Sequence, residues 1–211
     1  MNYYNPKTDS LPTDEKNLRW VYSMQQSMQF MIDMLSFIDD LNKDFSMSGE
    51  LEVLDIGCAT GAAANMLAQL NHTSFLGHAV KVDAMDIRDE FESRAEIFFP
   101  FINYMVDDIF EYNYHKYYDF IICSHCIEHF VDPTDFMNEL IRRARKYVLF
   151  YAPYNEKNFI TPGHVITITD EFVDSFNPIL KQIITSRGWV HPNDDESKCI
   201  IFACAGKGLS T

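Results

Sequence analysis

Residues 51–61 read Leu-Glu-Val-Leu-Asp-Ile-Gly-Cys-Ala-Thr-Gly. The apolar and β-branched residues at the start of this stretch predict a buried β-strand, and the glycines that follow predict a tight turn. The Ala-rich stretch at 62–70 then predicts a helix. A buried strand that leads through a glycine turn into a helix is typical of the ligand-binding edge of an open α/β sheet. The spacing of Gly57 and Gly61 fits neither the dinucleotide fingerprint nor the P-loop, and no Lys follows to bind a phosphate.

Strand-like and helical patterns alternate through the rest of the chain. The predicted strands cover residues 51–56, 80–87, 101–106, 118–124, 146–152, 180–185 and 199–204. The predicted helices cover residues 61–70, 88–97 and 133–145, and another begins at Thr169. The segment between the last two strands is too short for a helical crossover, so these strands should pair antiparallel. The sequence therefore predicts an α/β fold whose seven-stranded sheet is mostly parallel, with a C-terminal antiparallel hairpin and helices on both faces.

A long helical pattern precedes the sheet. Apolar residues recur at intervals of three and four residues from Asp14 to about Phe45. We interpret this segment, which is rich in Met and aromatic residues, as a helix pair that lies over the mouth of the sheet or against a partner. Its apolar surface is compatible with a homodimer. The predicted domains are an N-terminal helical extension or lid over residues 1–48 and an α/β domain over residues 49–211.

The charge balance disfavours a nucleic-acid partner. The 211-residue chain has 31 acidic and 17 basic residues, and its formal net charge of −14 repels phosphate backbones. The one dense basic run, Arg142–Lys146, is typical of the last turn of a helix, where cations complement the helix dipole.

Three further features favour a cytoplasmic location. No apolar run approaches the roughly 20 residues that are needed to span a bilayer. The N-terminal residues lack the charged and then apolar layout of a signal peptide. The five cysteines, an odd number in apolar contexts, indicate reduced thiols. We therefore expect a cytoplasmic protein without a membrane span.

The stretch Val53–Gly61 resembles motif I of the class I, Rossmann-like S-adenosylmethionine-dependent methyltransferases, which usually reads V-L-D-[IVL]-G-x-G-x-G. Ala59 stands where that family has its middle glycine. The resemblance implies a Rossmann-like fold, S-adenosyl-L-methionine as the cofactor and S-adenosyl-L-homocysteine as the product. It also implies cofactor contacts from the residues of this strand end and turn: Asp55, Gly57, Cys58, Ala59 and Gly61.

The resemblance extends to the ends of the next strands. Asp86 ends the second strand, where the family has the acid that binds the ribose, and a carboxylate suits two vicinal hydroxyls. Asp83 is the alternative if the strand register differs. Ile87, directly after Asp86, would cover one face of the adenine. Two residues that follow the third strand and one at the end of the fourth complete the expected cofactor site: Asp108, Ile109 and Ser124.

The segment from Ser124 to Pro133 resembles the corresponding stretch of the small-molecule branch of this family, which modifies quinones, sugars, lipids and other metabolites. It reads Ser-His-Cys-Ile-Glu-His-Phe-Val-Asp-Pro. The [DNS]-P-P-[YFW] motif of the DNA and RNA amino-methyltransferases does not occur at this place. We therefore expect methyl transfer to a small molecule or glycan precursor, at oxygen. The alternative from another class is a catalytically silent regulatory subunit that binds the cofactor.

Histidines are the candidate bases, because a neutral imidazole can accept the proton of a hydroxyl. We predict that His125 or His164 has this role, with His129 as the alternative and Glu128 as the partner of His129. No metal is expected. As an alternative, these four residues resemble the metal site of the small-RNA 2′-O-methyltransferases, with His125 in place of a Glu, and this alternative would imply an RNA substrate.

Overall fold

The structure, a computed structural model, describes residues 13–42, 50–70, 79–112, 115–156, 161–189 and 198–208. The strands are β1 (Glu50–Ile56), β2 (Ala79–Asp86), β3 (Ile102–Val106), β4 (Tyr118–Ser124), β5 (Ala144–Pro153), β6 (Leu180–Thr185) and β7 (Lys198–Ala205). The α-helices are α1 (Thr13–Asn42), α2 (Ala62–Leu70), α3 (Glu92–Phe98), α4 (Thr134–Arg143) and α5 (Asp170–Asp174). A single 3₁₀ turn, Ile127–His129, follows β4.

The strands of this described part form one sheet of seven, in the order β3-β2-β1-β4-β5-β7-β6. Strands β1 to β5 pair in parallel, and β7 pairs antiparallel with both β5 and β6. The predicted α/β fold and its C-terminal antiparallel hairpin are confirmed. The chain order reverses between β1 and β4, so the connections after these two strands diverge and leave a crevice at their carboxyl ends.

Side chains alternate along the central strands between two hydrophobic cores, as the period of two requires. In β1, Val53 belongs to the core under α1 and α2, whereas Leu54 belongs to the core on the opposite face, which α4 and α5 cover. In β4, Ile122 belongs to the core under α1 and α2, and Ile121 belongs to the opposite core. The sheet is therefore buried on both faces, which explains why its strands read as nearly continuous apolar runs.

Two element boundaries differ from the sequence-based expectation. The N-terminal segment is one continuous helix over Thr13–Asn42, not a helix pair. The helix α4 ends at Arg143 because Ala144 adopts an extended conformation and pairs with Tyr118. The end of the basic run therefore lies in β5, not in the last turn of a helix. In the described ranges, no helix is both long and apolar enough to cross a membrane.

A polar contact fixes α1 across one face of the sheet. The Oδ2 atom of Asp33 accepts hydrogen bonds from the Tyr151 hydroxyl at 3.0 Å and from the Ser186 hydroxyl at 2.8 Å. The backbone N–H of Arg187 donates to the same oxygen at 3.2 Å. Because Tyr151 lies in β5 and Ser186 directly follows β6, this one carboxylate ties α1 to two strands. The helix is thus held in place by directional bonds as well as by its apolar face.

A buried arginine holds the segment that follows β3. Arg143, whose side chain is fully buried, donates from Nη2 to the carbonyl oxygens of Ile109 at 2.7 Å and Tyr112 at 2.9 Å. Its Nε donates to Glu139 at 2.6 Å. The guanidinium therefore connects α4 to a segment that borders the crevice.

We predict that Arg143→Met lowers the free energy of unfolding by about 2 kcal/mol or more, because it leaves the carbonyl groups of Ile109 and Tyr112 without the buried donor that binds them. Arg142→Met is the matched control. Arg142 contacts the same Glu139, but its side chain is 41% exposed, so its loss should cost less than about 1 kcal/mol. Urea denaturation of the two variants measures the difference, and equal losses would contradict the assigned role.

Candidate active site at the carboxyl edge of the sheet

A cavity of about 380 Å³ lies between α1 and the carboxyl ends of the parallel strands. Of the cofactor residues that the sequence predicts, nine line it: Asp55, Gly57, Cys58, Ala59, Asp86, Ile87, Asp108, Ile109 and Ser124. The sequence analysis placed the N-terminal helical segment over the mouth of the sheet or against a partner but named none of its residues. In the structure, α1 forms the roof of the cavity through Arg19, Ser23, Gln26, Ser27, Phe30, Met31 and Met34. The helical spacing of these α1 residues is also that of ordinary core packing, so the sequence carried no signal that distinguishes a roof from a core.

The turn after β1 requires left-handed backbone at three positions: Gly57 at φ +71°, Ala59 at +48° and Gly61 at +76°. A Cβ atom on Gly57 would lie 3.0 Å from the Cys126 sulfur, so this position needs a glycine for space as well as for conformation. Gly61 does not line the cavity. A Cβ there would lie 2.9 Å from Cδ1 of Ile102, so Gly61 permits close packing behind the turn, in contrast to its predicted cofactor contact.

Ala59 holds its left-handed conformation through two neighbours. Its N–H donates to Oδ2 of Asp86 at 2.9 Å, and its carbonyl accepts from the Tyr104 hydroxyl at 2.6 Å. A non-glycine residue in this region costs on the order of 1 kcal/mol, which these bonds offset. The turn therefore keeps its shape without the middle glycine of the family pattern.

The carboxylate of Asp86 lies buried at the cavity wall. Besides the bond from Ala59, its oxygens accept from Arg88, through the backbone N–H at 3.0 Å, Nε at 3.1 Å and Nη2 at 3.3 Å. The alternative acid, Asp83, does not line the cavity. It is engaged elsewhere by Lys116, by the Tyr118 hydroxyl at 2.9 Å and by Asn103. The alternative register is therefore not the one in the structure. Arg88 was missed because a single charged residue after a strand end has no distinctive pattern.

Asp55 is the most desolvated acid of the cavity wall. Its Oδ2 atom is buried and accepts no hydrogen bond from the described residues. Burial, and secondly the negative charge of Asp86, raise the pKa of Asp55 to about 7. A buried carboxylate oxygen without a donor at a cavity wall is suited to a cationic ligand group.

The wall beyond β3 combines acids with apolar side chains. The Asp107 N–H donates to the carbonyl of Asp86 at 3.1 Å, which continues the ladder past the strand end. Asp108 caps the next turn by accepting from the N–H of Phe110 at 2.9 Å. Ile109 is buried in the core beneath it, and its carbonyl is bound by Arg143. This wall therefore presents carboxylate oxygens above a flat apolar floor.

The three predicted histidines have different surroundings. His125 lines the cavity, but its ring stacks on Phe30 with the centroids 3.8 Å apart. Its Nδ1 lies 3.3 Å from Oε1 of Glu128, and its Nε2 lies 3.7 Å from the sulfur of Cys199. Both ring nitrogens of His125 therefore face other side chains of the protein, which makes it poorly placed to take a proton from an acceptor.

His164 is buried and does not line the cavity, in contrast to the prediction that it is a base. Its Nδ1 contacts the carboxylate of Glu156, and its Nε2 lies 3.8 Å from Oε1 of Glu128. His129 is half-buried and does line the cavity. Its Nδ1 lies 2.9 Å from the carbonyl oxygen of Gly163. Because a carbonyl can only accept, Nδ1 carries the hydrogen and Nε2 carries a lone pair.

Glu128, the predicted partner of His129, is buried among the three histidines. Burial by itself would raise the pKa of Glu128, but the neighbouring His125, His129 and His164 together lower it below the ordinary value. Glu156, which orients His164, was missed by the sequence analysis because it lies in a loop without a recognisable motif.

The sequence over residues 24–156 matches a family of methyltransferase domains. The match covers more than half of the chain, so the chain belongs to the methyltransferase domain family. No curated protein sequence matches it.

Solved structures share the fold at low sequence identity. Magnesium protoporphyrin IX methyltransferase from Synechocystis PCC 6803, with bound SAH, is 14% identical with a TM-score of 0.60, over 95% of this chain and 90% of that one. The plantazolicin methyltransferase BpumL, in complex with SAH, is 14% identical with a TM-score of 0.66, over 94% and 91%. The [4+2]-cyclase SpnF is 12% identical with a TM-score of 0.60, over 83% and 81%. These comparisons confirm the Rossmann-like fold of the class I S-adenosylmethionine-dependent methyltransferases.

The raised pKa of Asp55 predicts that the free energy of unfolding of the ligand-free protein depends on pH. Between about pH 4 and 7 the unfolded chain releases a proton that the folded chain retains on Asp55, so stability falls as the pH rises through this window. The loss should reach on the order of 4 kcal/mol above pH 7. Asp55→Asn should abolish this component. Urea denaturation from pH 4 to 8 should therefore give curves for the two proteins that diverge up to pH 7, and parallel curves would contradict the prediction.

Proposed function

We infer that this protein transfers the methyl group of S-adenosylmethionine to an oxygen atom of a small molecule or glycan precursor. The observation that carries this proposal is one cavity with two buried carboxylates, Asp55 and Asp86, on either side of the left-handed turn after β1. The family membership supplies the reaction class, methyl transfer. The acceptor and the atom that is methylated are inferred from the cavity walls.

The cofactor is S-adenosylmethionine, and the residues present fit its groups. The free oxygen of Asp55 suits the ammonium of the methionine portion, and the carboxylate of Asp86 suits the ribose hydroxyls. The absence of a side chain at Gly57 lets the backbone approach the ligand. Asp108, beyond β3, suits the exocyclic amine of the adenine, because a carboxylate accepts hydrogen bonds. The bound cofactor supplies an activated, electrophilic methyl group, so the chain has to place the acceptor and accommodate its proton.

The roof and the β4 side of the cavity favour a neutral acceptor with an apolar body. The carboxylates of the cavity wall lie at the carboxyl ends of β1, β2 and β3. The α1 roof contributes hydroxyl and amide groups, apolar side chains and Arg19, whose guanidinium is paired with Glu90 at 3.0 Å. Phe30, Met31 and Met34 come from α1, and Phe130 and Phe136 come from the segment after β4. An amine acceptor would favour a carboxylate on this side. A hydroxyl acceptor beside His129 needs none, which supports methylation at oxygen.

The reaction is a displacement at the methyl carbon. The acceptor O–H bond breaks and its proton passes to solvent, while the acceptor oxygen forms a bond to the methyl carbon. The carbon–sulfur bond breaks, and its electron pair stays on sulfur. On this side of the cavity, the Nε2 lone pair of His129 is the protein group placed to accept a hydrogen bond from the acceptor hydroxyl.

Other parts of the sequence-based prediction stay predictions. The boundary between a lid over 1–48 and a domain over 49–211 belongs to this proposal, with α1 as a roof that residues such as Asp33 hold in place. The cytoplasmic location and the homodimer also remain predictions. The net charge of −14 favours small acceptors over RNA, which an RNA 2′-O-methyltransferase would have to bind.

We predict that Asp86→Asn weakens the binding of S-adenosylhomocysteine by about 10- to 100-fold, because the ribose hydroxyls lose a charged acceptor. Asp83→Asn is the matched control, since it removes a charge from the same strand but outside the cavity. Isothermal titration calorimetry should show native affinity for the control. A native affinity in Asp86→Asn would remove the ribose contact from this residue.

Turnover tests the reaction itself. Incubation of the full chain with S-adenosylmethionine and a panel of small hydroxylated compounds, aromatic ones first, should release S-adenosylhomocysteine with one or more of them. A panel of matched amines serves as the comparison. Turnover of amines alone would replace methylation at oxygen by methylation at nitrogen. Failure to bind S-adenosylhomocysteine would overturn the proposal, whereas binding without turnover on any panel would favour the silent regulatory subunit.

A further inference from the structure

Glu128, His129 and His164 form a cluster that reaches the cavity wall through His129. Each offers one metal-ligating atom, and these atoms all lie within 4.8 Å of one another. Glu128 and His129 belong to the 3₁₀ turn after β4, whereas His164 belongs to the segment after β5. The N–H of Val165 donates to the carbonyl of Glu128 at 2.9 Å, which fixes the two segments against each other. The fold thus brings distant parts of the chain together at this point.

Both histidines of this cluster present the same nitrogen to it. The Nδ1 of His129 is occupied by the carbonyl of Gly163, and the Nδ1 of His164 is occupied by the carboxylate of Glu156. These partners place the hydrogen on Nδ1 and leave a lone pair on Nε2. A carbonyl or carboxylate behind the ring is the arrangement that orients histidines which bind metals.

The carboxylate of Glu128 lacks a partner of its own. Its side chain is 1% exposed, and neither oxygen accepts a hydrogen bond of good geometry from the described residues. The nearest donors are Nδ1 of His125 at 3.3 Å and Nε2 of His164 at 3.8 Å, both from Oε1. The histidines thus stabilise the charge of Glu128 from a distance but leave its two oxygens without a directional bond, which a metal ion would supply.

We propose that Glu128, His129 and His164 bind one divalent transition-metal ion of the zinc type, with Glu156 and the Gly163 carbonyl orienting the two imidazoles. Two imidazole nitrogens and one carboxylate suit Zn²⁺ or Co²⁺ better than Mg²⁺ or Ca²⁺, which prefer oxygen ligands. Tetrahedral zinc places its ligand atoms ~3.4 Å apart, so the cluster needs to contract only by small side-chain movements. His125 is not a ligand in this proposal, because its ring nitrogens face Glu128 and Cys199, in contrast to the ligand set suggested by the sequence.

The position of the metal deepens the proposed function and rests on it. Three protein ligands leave a coordination position for water or for an oxygen of the acceptor. His129 belongs both to the cluster and to the cavity wall, so this position lies on the acceptor side. With the ion present, Nε2 of His129 would bind the metal, and the acceptor hydroxyl would bind the metal rather than that nitrogen. A hydroxyl bound there would lose its proton more easily. The acceptors would therefore be hydroxyl compounds that bind a metal through oxygen.

Metal binding is measured with the full chain after treatment with a chelator. Titration with Zn²⁺ against a chromophoric competitor should give one site per chain, and Co²⁺ should give visible absorption of a low-coordinate nitrogen–oxygen site. Glu128→Gln and His164→Gln should each weaken Zn²⁺ binding by at least about 100-fold, and Glu156→Gln by about 10- to 100-fold. His115→Gln is the control, since it replaces an exposed histidine outside the cluster.

The binding of S-adenosylhomocysteine distinguishes loss of the metal site from loss of the fold and from failure of the proposed function. Variants that keep this binding are folded, so a loss of Zn²⁺ affinity in them supports the site. A native chain that binds S-adenosylhomocysteine but neither Zn²⁺ nor Co²⁺ overturns the metal site and leaves the proposed methyl transfer intact. An equal loss of Zn²⁺ affinity in His115→Gln would show that the ion binds at the protein surface, which also overturns the metal site. Turnover that survives complete removal of the metal overturns the acceptor contact.

Discussion

The end of β1 imposes the constraint on which the site depends. The carbonyl of Met85, in β2, accepts from the N–H of Gly57 at 2.8 Å and from the N–H of Cys58 at 3.1 Å. The chain can form both bonds only by leaving the strand in a left-handed turn, and that turn directs α2 back along one face of the sheet. The carboxyl ends of β1 and β2 are thereby fixed relative to each other, with Asp55 and Asp86 on one cavity.

Desolvated charge is the second organising feature. The cavity wall keeps carboxylates away from water, and each has a different compensation. Asp86 is bound by Arg88 and Ala59, whereas one oxygen of Asp55 has no donor in the described residues. Glu128 lies among imidazoles that do not reach hydrogen-bond geometry. The buried charge of Asp55 lowers the stability of the empty protein, so a ligand group that binds its free oxygen should stabilise the fold.

Much of the fold follows from local sequence patterns. The apolar runs of β1, β2, β4, β5 and β7 indicated buried strands because a sheet covered on both faces has few solvent-facing positions. The positions of the strand ends also placed most cofactor residues correctly on the cavity. The prediction was less successful at α1, since a helical pattern does not show whether the helix is broken. It was also wrong at the end of α4, where pairing of Ala144 with β4 overrode the helical preference of the basic run.

The sequence by itself determined the succession of strands and helices along the chain, the glycine turn and the acids at the strand ends, because each depends on neighbours a few residues away. Only the tertiary structure decided the roles of the histidines. The lone pair of His129 depends on a carbonyl 34 residues further along the chain, and that of His164 depends on a glutamate in a loop. The protonated nitrogen of an imidazole is set by its partner in space, and residue spacing does not specify that partner.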